Sequence, residues 1–91
     1  MGKYILIAND NEGILEILST YVTKEDFFPI IAHDGEAALT KFVEFRPLLL
    51  LLNVMMPKKD GYTVFRDIRQ SSNVPIIMLT AKGEDFEVKH V

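Results

Sequence analysis

Residues 48–61 read LLLLLNVMMPKKDG, and this stretch decides the fold. Its five consecutive leucines are too few for a helix of their own and are typical of a strand that is buried on both faces. The leucine run ends at Asn53, and a loop follows in which Asp60-Gly61 predicts a turn whose glycine permits a positive φ. We therefore predict a deeply buried strand, Leu48 to Leu52, with a polar residue at its carboxyl end.

Apolar runs and helical spacings alternate on both sides of this stretch. The runs predict three further strands, over Tyr4–Ala8, Phe27–Ala32 and Val74–Thr80. Pro29 cannot donate a ladder hydrogen bond, so the second strand should lie at a sheet edge. Three helices are marked by apolar residues at helical spacing: Ile14, Ile17, Leu18, Tyr21 and Val22; Ala38, Phe42 and Phe45; Val64, Phe65 and Ile68.

This alternation predicts the α/β class, with a parallel sheet, right-handed crossovers and helices on both faces. Asp10 or Asn11 can cap the first helix. A further helix can begin at Glu84, although only about two turns of chain follow it. A chain of 91 residues fits one domain, so residues 1–91 are treated as a single unit.

Composition excludes several classes of function. The chain has no cysteine, which excludes a disulfide scaffold and a thiolate metal site. The formal net charge of −3 argues against direct binding of nucleic acid. The apolar runs are too short to span a membrane or to form a signal peptide, so we expect a cytoplasmic protein.

Polar residues end three of the predicted strands. They are Asn9-Asp10, Asn53 and Thr80-Ala81. Because ligands of open α/β sheets bind beyond the carboxyl ends of the strands, these residues predict a small polar pocket. The alternative is that they only cap helices and turns, which Asp10 could do alone.

Four segments, ILIANDNEG, AHDGEAAL, LLLLLNVMMPKKDGY and VPIIMLTAKGE, resemble in this order the receiver domain of two-component response regulators. The amino-acid sequence of these segments resembles the branch of the response-regulator family that carries a winged-helix DNA-binding domain after the receiver. The resemblance implies a flavodoxin-like three-layer sandwich with strand order 2-1-3-4-5. We expect this chain to form a truncated receiver of order 2-1-3-4, with the fifth strand and the fifth helix missing. Val74–Leu79 would then be an open edge through which the chain could self-associate.

The resemblance also implies a phosphorylation site. A receiver takes a phosphoryl group from a histidine kinase onto an aspartate at the end of its third strand, where this chain has Asn53. Asn9 and Asp10 occupy the positions of an acidic pair that helps to hold Mg²⁺, and the carbonyl of Met55 matches a further metal ligand. Thr80 matches the residue that contacts the phosphoryl group. The lysine and the aromatic switch residue of the family's fifth strand have no counterpart here.

These replacements have chemical consequences. Phosphorylation needs a carboxylate nucleophile, so Asn53 should not accept a phosphoryl group. Only Asp10 remains as an anion, so Mg²⁺ binding should be weak. Carboxylates packed together repel one another without a metal. We therefore predict that Asn53→Asp and Asn9→Asp each destabilise the metal-free fold and tighten Mg²⁺ binding.

The leading interpretation is a receiver-like signalling module, a pseudo-receiver that is not an enzyme and that acts through protein–protein contacts. A sensor histidine kinase or a phosphotransfer protein would be the partner of the parent protein. One alternative is a substituted or excised fragment of a phosphorylatable receiver that regulates transcription. Another is an aspartyl-phosphate enzyme, which the lack of an aspartate nucleophile opposes. The last is a folding or assembly fragment with no independent activity.

Overall fold

Strands and helices alternate along most of the chain. The structure is a computed structural model that describes the backbone of residues 3–82 and 85–90 and the side chains of residues 3–79. The elements are β1 (Tyr4–Ala8), α1 (Glu12–Lys24), β2 (Phe28–Ala32), α2 (Gly35–Phe45), β3 (Leu49–Asn53), α3 (Gly61–Arg69), β4 (Ile76–Lys82) and β5 (Asp85–His90). The leucine run is therefore a strand and the three helical spacings are helices, as predicted.

The strands form one sheet of order β2-β1-β3-β4-β5. β1 to β4 pair in parallel, which confirms the predicted order 2-1-3-4 of a flavodoxin-like receiver fold. β2 lies at the edge of the sheet, as Pro29 predicted. The carboxyl ends of the four parallel strands consequently meet at one edge, where the polar residues of β1 and β3 lie.

The last strand departs from the prediction. β5 pairs with β4 in the antiparallel direction, with Ile77 opposite His90 and Lys82 opposite Asp85. The prediction of a helix after Glu84, a residue outside the described ranges, is therefore wrong for residues 85–90. The prediction of an open β4 edge is also wrong, because β5 pairs along it. Self-association of the chain stays a prediction. An unpaired β4 edge would leave backbone N–H and C=O groups without partners, and a returning strand pairs them.

The two faces of the sheet pack differently. Side chains of β3 alternate between the faces, so that Leu50 and Leu52 point towards α2 and α3 while Leu49 and Leu51 point towards α1. The larger cluster of buried side chains lies on the α2–α3 face: Leu6, Ala8, Ala32, Ala38, Phe42, Leu50, Leu52, Val64, Ile68, Ile76 and Met78. The smaller cluster lies on the α1 face: Ile5, Ile7, Leu15 and Val22.

Each helix begins with a side-chain cap near the carboxyl ends of the strands. Asn11 Oδ1 accepts the Ile14 N–H of α1 at 3.0 Å. Asp34 caps α2 and Asp60 caps α3 in the same way, each at 2.8 Å from the N–H three residues on. Of the two residues predicted to cap α1, Asn11 is the one that does so, which leaves the Asp10 side chain available at the pocket.

Candidate functional site

Two of the predicted polar strand ends, those of β1 and β3, lie side by side in the structure. Ala8 of β1 is paired with Leu52 of β3, so the residue after each of them lies at the same edge of the sheet. The side chain of Asn53 consequently reaches Asp10, which lies 43 positions earlier in the chain. The sequence predicted this meeting from strand ends alone.

The amide of Asn53 has two acceptors in front of it. Its Nδ2 donates to the backbone carbonyl of Met55 at 2.7 Å and to Asp10 Oδ1 at 3.5 Å. Both partners are oxygen acceptors, a backbone carbonyl and a carboxylate, so the NH₂ group and not Oδ1 faces them. Three of the four predicted metal-site residues thus meet around one amide group.

Asn9 has a different environment. It is 2% exposed, and its Oδ1 accepts the backbone N–H of Asn11 at 2.9 Å. Its own backbone N–H donates to the carbonyl of Ala32 at 3.0 Å. Asn9 therefore ties the end of β1 to the start of α1 and to β2, and its side-chain oxygen is already engaged.

Known proteins with a similar sequence share this architecture. The response regulator receiver domain family matches residues 5–91. This chain belongs to that family.

Two curated relatives illustrate the likeness. A probable transcriptional regulator ycf27 of Guillardia theta is 46% identical over 80 residues, which are 88% of this chain and 32% of the relative. The alkaline phosphatase synthesis transcriptional regulatory protein PhoP of Bacillus subtilis is 42% identical over 88 residues, 96% of this chain and 37% of the relative. This receiver thus spans about a third of the length of the curated relatives that it matches.

A solved structure shows the same fold. The BeF₃-activated N-terminal receiver domain of Klebsiella pneumoniae RstA superposes with a TM-score of 0.83 at 30% identity. The match covers 90% of this receiver and 70% of the solved chain.

Thr80 lies on β4, with Glu87 of β5 opposite it. Its side chain is outside the described residues, so its contact with a phosphoryl group stays a prediction. The neighbouring Leu79 pairs with Asn53, which places this part of β4 beside the site.

Gly61 is a positioning residue that the sequence interpretation missed. A Cβ on Gly61 would lie 2.5 Å from the carbonyl oxygen of Asn53 and 2.8 Å from Val54 Cα, so only glycine fits there. Its φ lies outside the left-handed range, so the turn with a positive φ that the sequence suggested is wrong. The absence of a side chain on this glycine lets α3 approach the end of β3 closely. In the sequence, the position of Gly61 directly before the apolar spacing of α3 could have indicated this role.

Gly35 has the same role on α2. A Cβ on Gly35 would overlap the backbone carbonyl of Lys59, which belongs to the loop after the site. The Lys59 side chain is held in turn by Asp67 of α3, at 3.3 Å between Nζ and Oδ2. The two glycines therefore bring α2, α3 and the β3–α3 loop together around the carboxyl end of β3.

One carboxyl group near the loop has a shifted pKa. The backbone N–H of Thr63 donates to Asp60, and this hydrogen bond, with a further contribution from the Thr63 hydroxyl, holds the pKa of Asp60 below its usual value. The carboxylate form is therefore favoured in the folded protein. The structural role of Asp60 is to cap the first turn of α3.

The residues present do not fit a magnesium ion well. Receiver domains generally bind Mg²⁺ at the phosphorylation site. Mg²⁺ prefers a near-octahedral set of oxygen ligands that includes carboxylates. Here Asp10 supplies a carboxylate and Met55 a carbonyl, but Asn53 turns N–H donors towards both of them. Within the described residues no three His, Asp or Glu side chains converge as a metal site would require.

Among the described residues, no helix combines the length and the apolar character needed to cross a membrane.

Proposed function

We propose that this receiver is a signalling module that does not accept a phosphoryl group at Asn53 and that acts through contacts with other proteins. The observation that supports the proposal is the position of Asn53 at the carboxyl end of β3, with its amide directed at Asp10 and at the Met55 carbonyl. That position corresponds, by the resemblance of the leucine-rich segment, to the phosphoaccepting aspartate of the family.

The chemistry follows from the amide group. An aspartyl phosphate forms when a carboxylate oxygen attacks phosphorus and the donor's leaving group departs with its electron pair. The Asn53 amide is neutral, and its nitrogen lone pair is delocalised into the carbonyl, so it is a poor nucleophile. Its N–H groups are also committed to two acceptors. Signalling by this chain therefore depends on which proteins its surface binds, and it carries no enzymatic step of its own.

The test is incubation with acetyl phosphate and Mg²⁺, followed by intact-mass measurement. We expect no stable mass increase for the unsubstituted chain. An increase of about 80 Da, the mass of one phosphoryl group, that maps to the peptide holding Asn53 or Asp10 would contradict the proposal.

The matched control is the double variant Asn53→Asp with Asn9→Asp, which restores the carboxylates at the end of β1 and β3. We expect this variant to gain the phosphoryl mass under the same conditions, which shows that the assay detects a labile acyl phosphate. The Asn53→Asp variant alone then shows how much of the resistance to phosphorylation is due to that single position.

The partners and the biological setting are part of the same proposal. We propose a cytoplasmic protein that binds a sensor histidine kinase or a phosphotransfer protein and that contributes to the regulation of transcription. The support is that both curated relatives described above are named as transcriptional regulators. Binding of a phosphotransfer protein from the same organism, measured by calorimetry, should be the same with and without a phosphodonor. Binding that requires the donor would oppose the proposal.

A further inference from the structure

The Asn53 amide lies at a point between oxygens that would otherwise repel one another. In the same geometry, an aspartate would place an oxygen lone pair 2.7 Å from the Met55 carbonyl oxygen and 3.5 Å from Asp10 Oδ1. Such an arrangement of oxygens needs a cation among them. The NH₂ group of asparagine supplies two positively polarised hydrogens instead, so the same oxygens are bridged without an ion.

The bridge closes a loop whose backbone is already constrained. The N–H of Val54 donates to the Leu79 carbonyl at 3.0 Å, and the N–H of Gly61 donates to the Val54 carbonyl at 2.7 Å. Between those two anchors, Met55 is 73% exposed and its carbonyl is held by the Asn53 amide. The amide therefore stabilises the exposed turn of the β3–α3 loop directly after β3.

Asn9, the second asparagine at the ends of these strands, also reduces the need for a cation. A buried ionised carboxylate is costly unless it is paired, whereas a buried amide needs only hydrogen bonds. Asn9 is 2% exposed and its Oδ1 accepts the Asn11 N–H, so the position is satisfied in a neutral form. Both asparagines thus remove a reason for a cation to enter.

From these contacts we propose that the Asn53 amide takes the place of a divalent cation in this pocket, bridging Asp10 and the Met55 carbonyl and holding the β3–α3 loop in one metal-independent arrangement. The inference rests on the proposed function, because it treats the pocket as one that no longer performs phosphoryl transfer. It goes further by assigning the amide a positive structural role and by predicting that Mg²⁺ does not regulate the loop.

The direct test follows the side-chain NH₂ signals of Asn53 in ¹⁵N-labelled protein during a titration with Mg²⁺. The signals are assigned as those that disappear in Asn53→Ala. Asn73, which is exposed in the loop before β4, provides the matched control in the same spectrum. We expect the Asn53 signals to move no further than those of Asn73 up to millimolar Mg²⁺. A saturable shift confined to Asn53 would overturn the proposal.

Thermal unfolding gives a second and independent measurement. The Tm of the unsubstituted chain should be equal in Mg²⁺ and in EDTA. Asn53→Ala should lower it by roughly 4–8 °C, the shift expected in a domain of this size when about one net hydrogen bond is lost. Asn53→Asp should have a lower Tm in EDTA and regain stability as Mg²⁺ is added, because a ligand that binds only the folded state raises its stability.

The outcomes separate this inference from the proposed function. A Tm of the unsubstituted chain that rises with Mg²⁺, without any phosphoryl adduct, would overturn the amide bridge and leave the proposed function standing. An adduct at the pocket would overturn the proposed function instead. If Asn53→Asp fails to fold, the magnesium titration of the unsubstituted chain still decides the inference.

Discussion

The two faces of the sheet make an informative comparison, because consecutive leucines of one strand enter different environments. On the α2–α3 face, Leu50 and Leu52 are both 0% exposed. On the α1 face, Leu49 and Leu51 are only half-buried. The difference arises because two helices cover the first face, whereas α1 alone covers the second among the described residues.

The open side of the α1 face forms a groove of about 220 Å³ beside the site. Its lining is almost entirely apolar: Asn9, Ile14, Ile17, Leu18 and Leu79. Ile17 is 57% exposed, although it lies on the apolar side of α1. The same hydrophobic pattern therefore contributes unequally to stability on the two faces, since the area removed from water and not the residue type sets the contribution.

The largest effect should come from the covered face. Leu50→Ala removes a fully buried side chain and leaves a cavity between β3 and the α2–α3 layer, so we expect a loss of about 2–5 kcal/mol in the free energy of unfolding. Denaturant unfolding followed by circular dichroism measures it. A loss below that of the neighbouring Leu51→Ala would break the comparison of the two faces.

Leu51→Ala should have a smaller effect. Leu51 packs beside the α1 cluster but keeps part of its surface in water, so we expect a loss of about 1 kcal/mol, measured in the same way. The two variants differ by one position in the same strand and share the same chemistry, so each serves as the control of the other. Equal losses would show that the α1 face is as well covered as its counterpart.

The smallest effect concerns the helix caps and their response to pH. On the covered face Asp60 caps α3 with a carboxylate, whereas on the open face Asn11 caps α1 with a neutral amide. The pKa of Asp60 is lowered in the folded state, so the folded protein binds fewer protons there than the unfolded chain does. The resulting stability is present above the unfolded pKa and is lost as the pH falls through the folded pKa.

Asp60→Asn isolates this contribution, because asparagine caps a helix but does not titrate. We expect the unsubstituted chain to be slightly more stable than the variant at about pH 7, with the difference fading as the pH falls below the ordinary aspartate pKa of about 3.9. Denaturant midpoints across that range measure it. A difference that stays constant with pH would contradict the prediction, because it would show that the titration of Asp60 does not contribute to stability.

Much of the fold could be predicted from particular residues. The Leu48–Leu52 run has the length of a buried strand, and Pro29 marks the edge strand, because both depend on local chemistry that the sequence displays. β5 could not be predicted from residues 85–90 in the same way. Its strand conformation arises from pairing with β4, and so few residues favour a helix only weakly by themselves.

In the candidate site, too, local features could be predicted from the sequence, whereas contacts between elements could not. By itself the sequence determined that Asn9-Asp10 and Asn53 each follow an apolar run typical of a buried strand, and that two of these three positions lack a carboxylate, because run length and residue type are local properties. Only the tertiary structure decided that the Asn53 amide faces Asp10 and the Met55 carbonyl, and that Gly61 must approach the Asn53 backbone. These contacts join residues from different elements, and their geometry depends on how β1, β3 and α3 pack together.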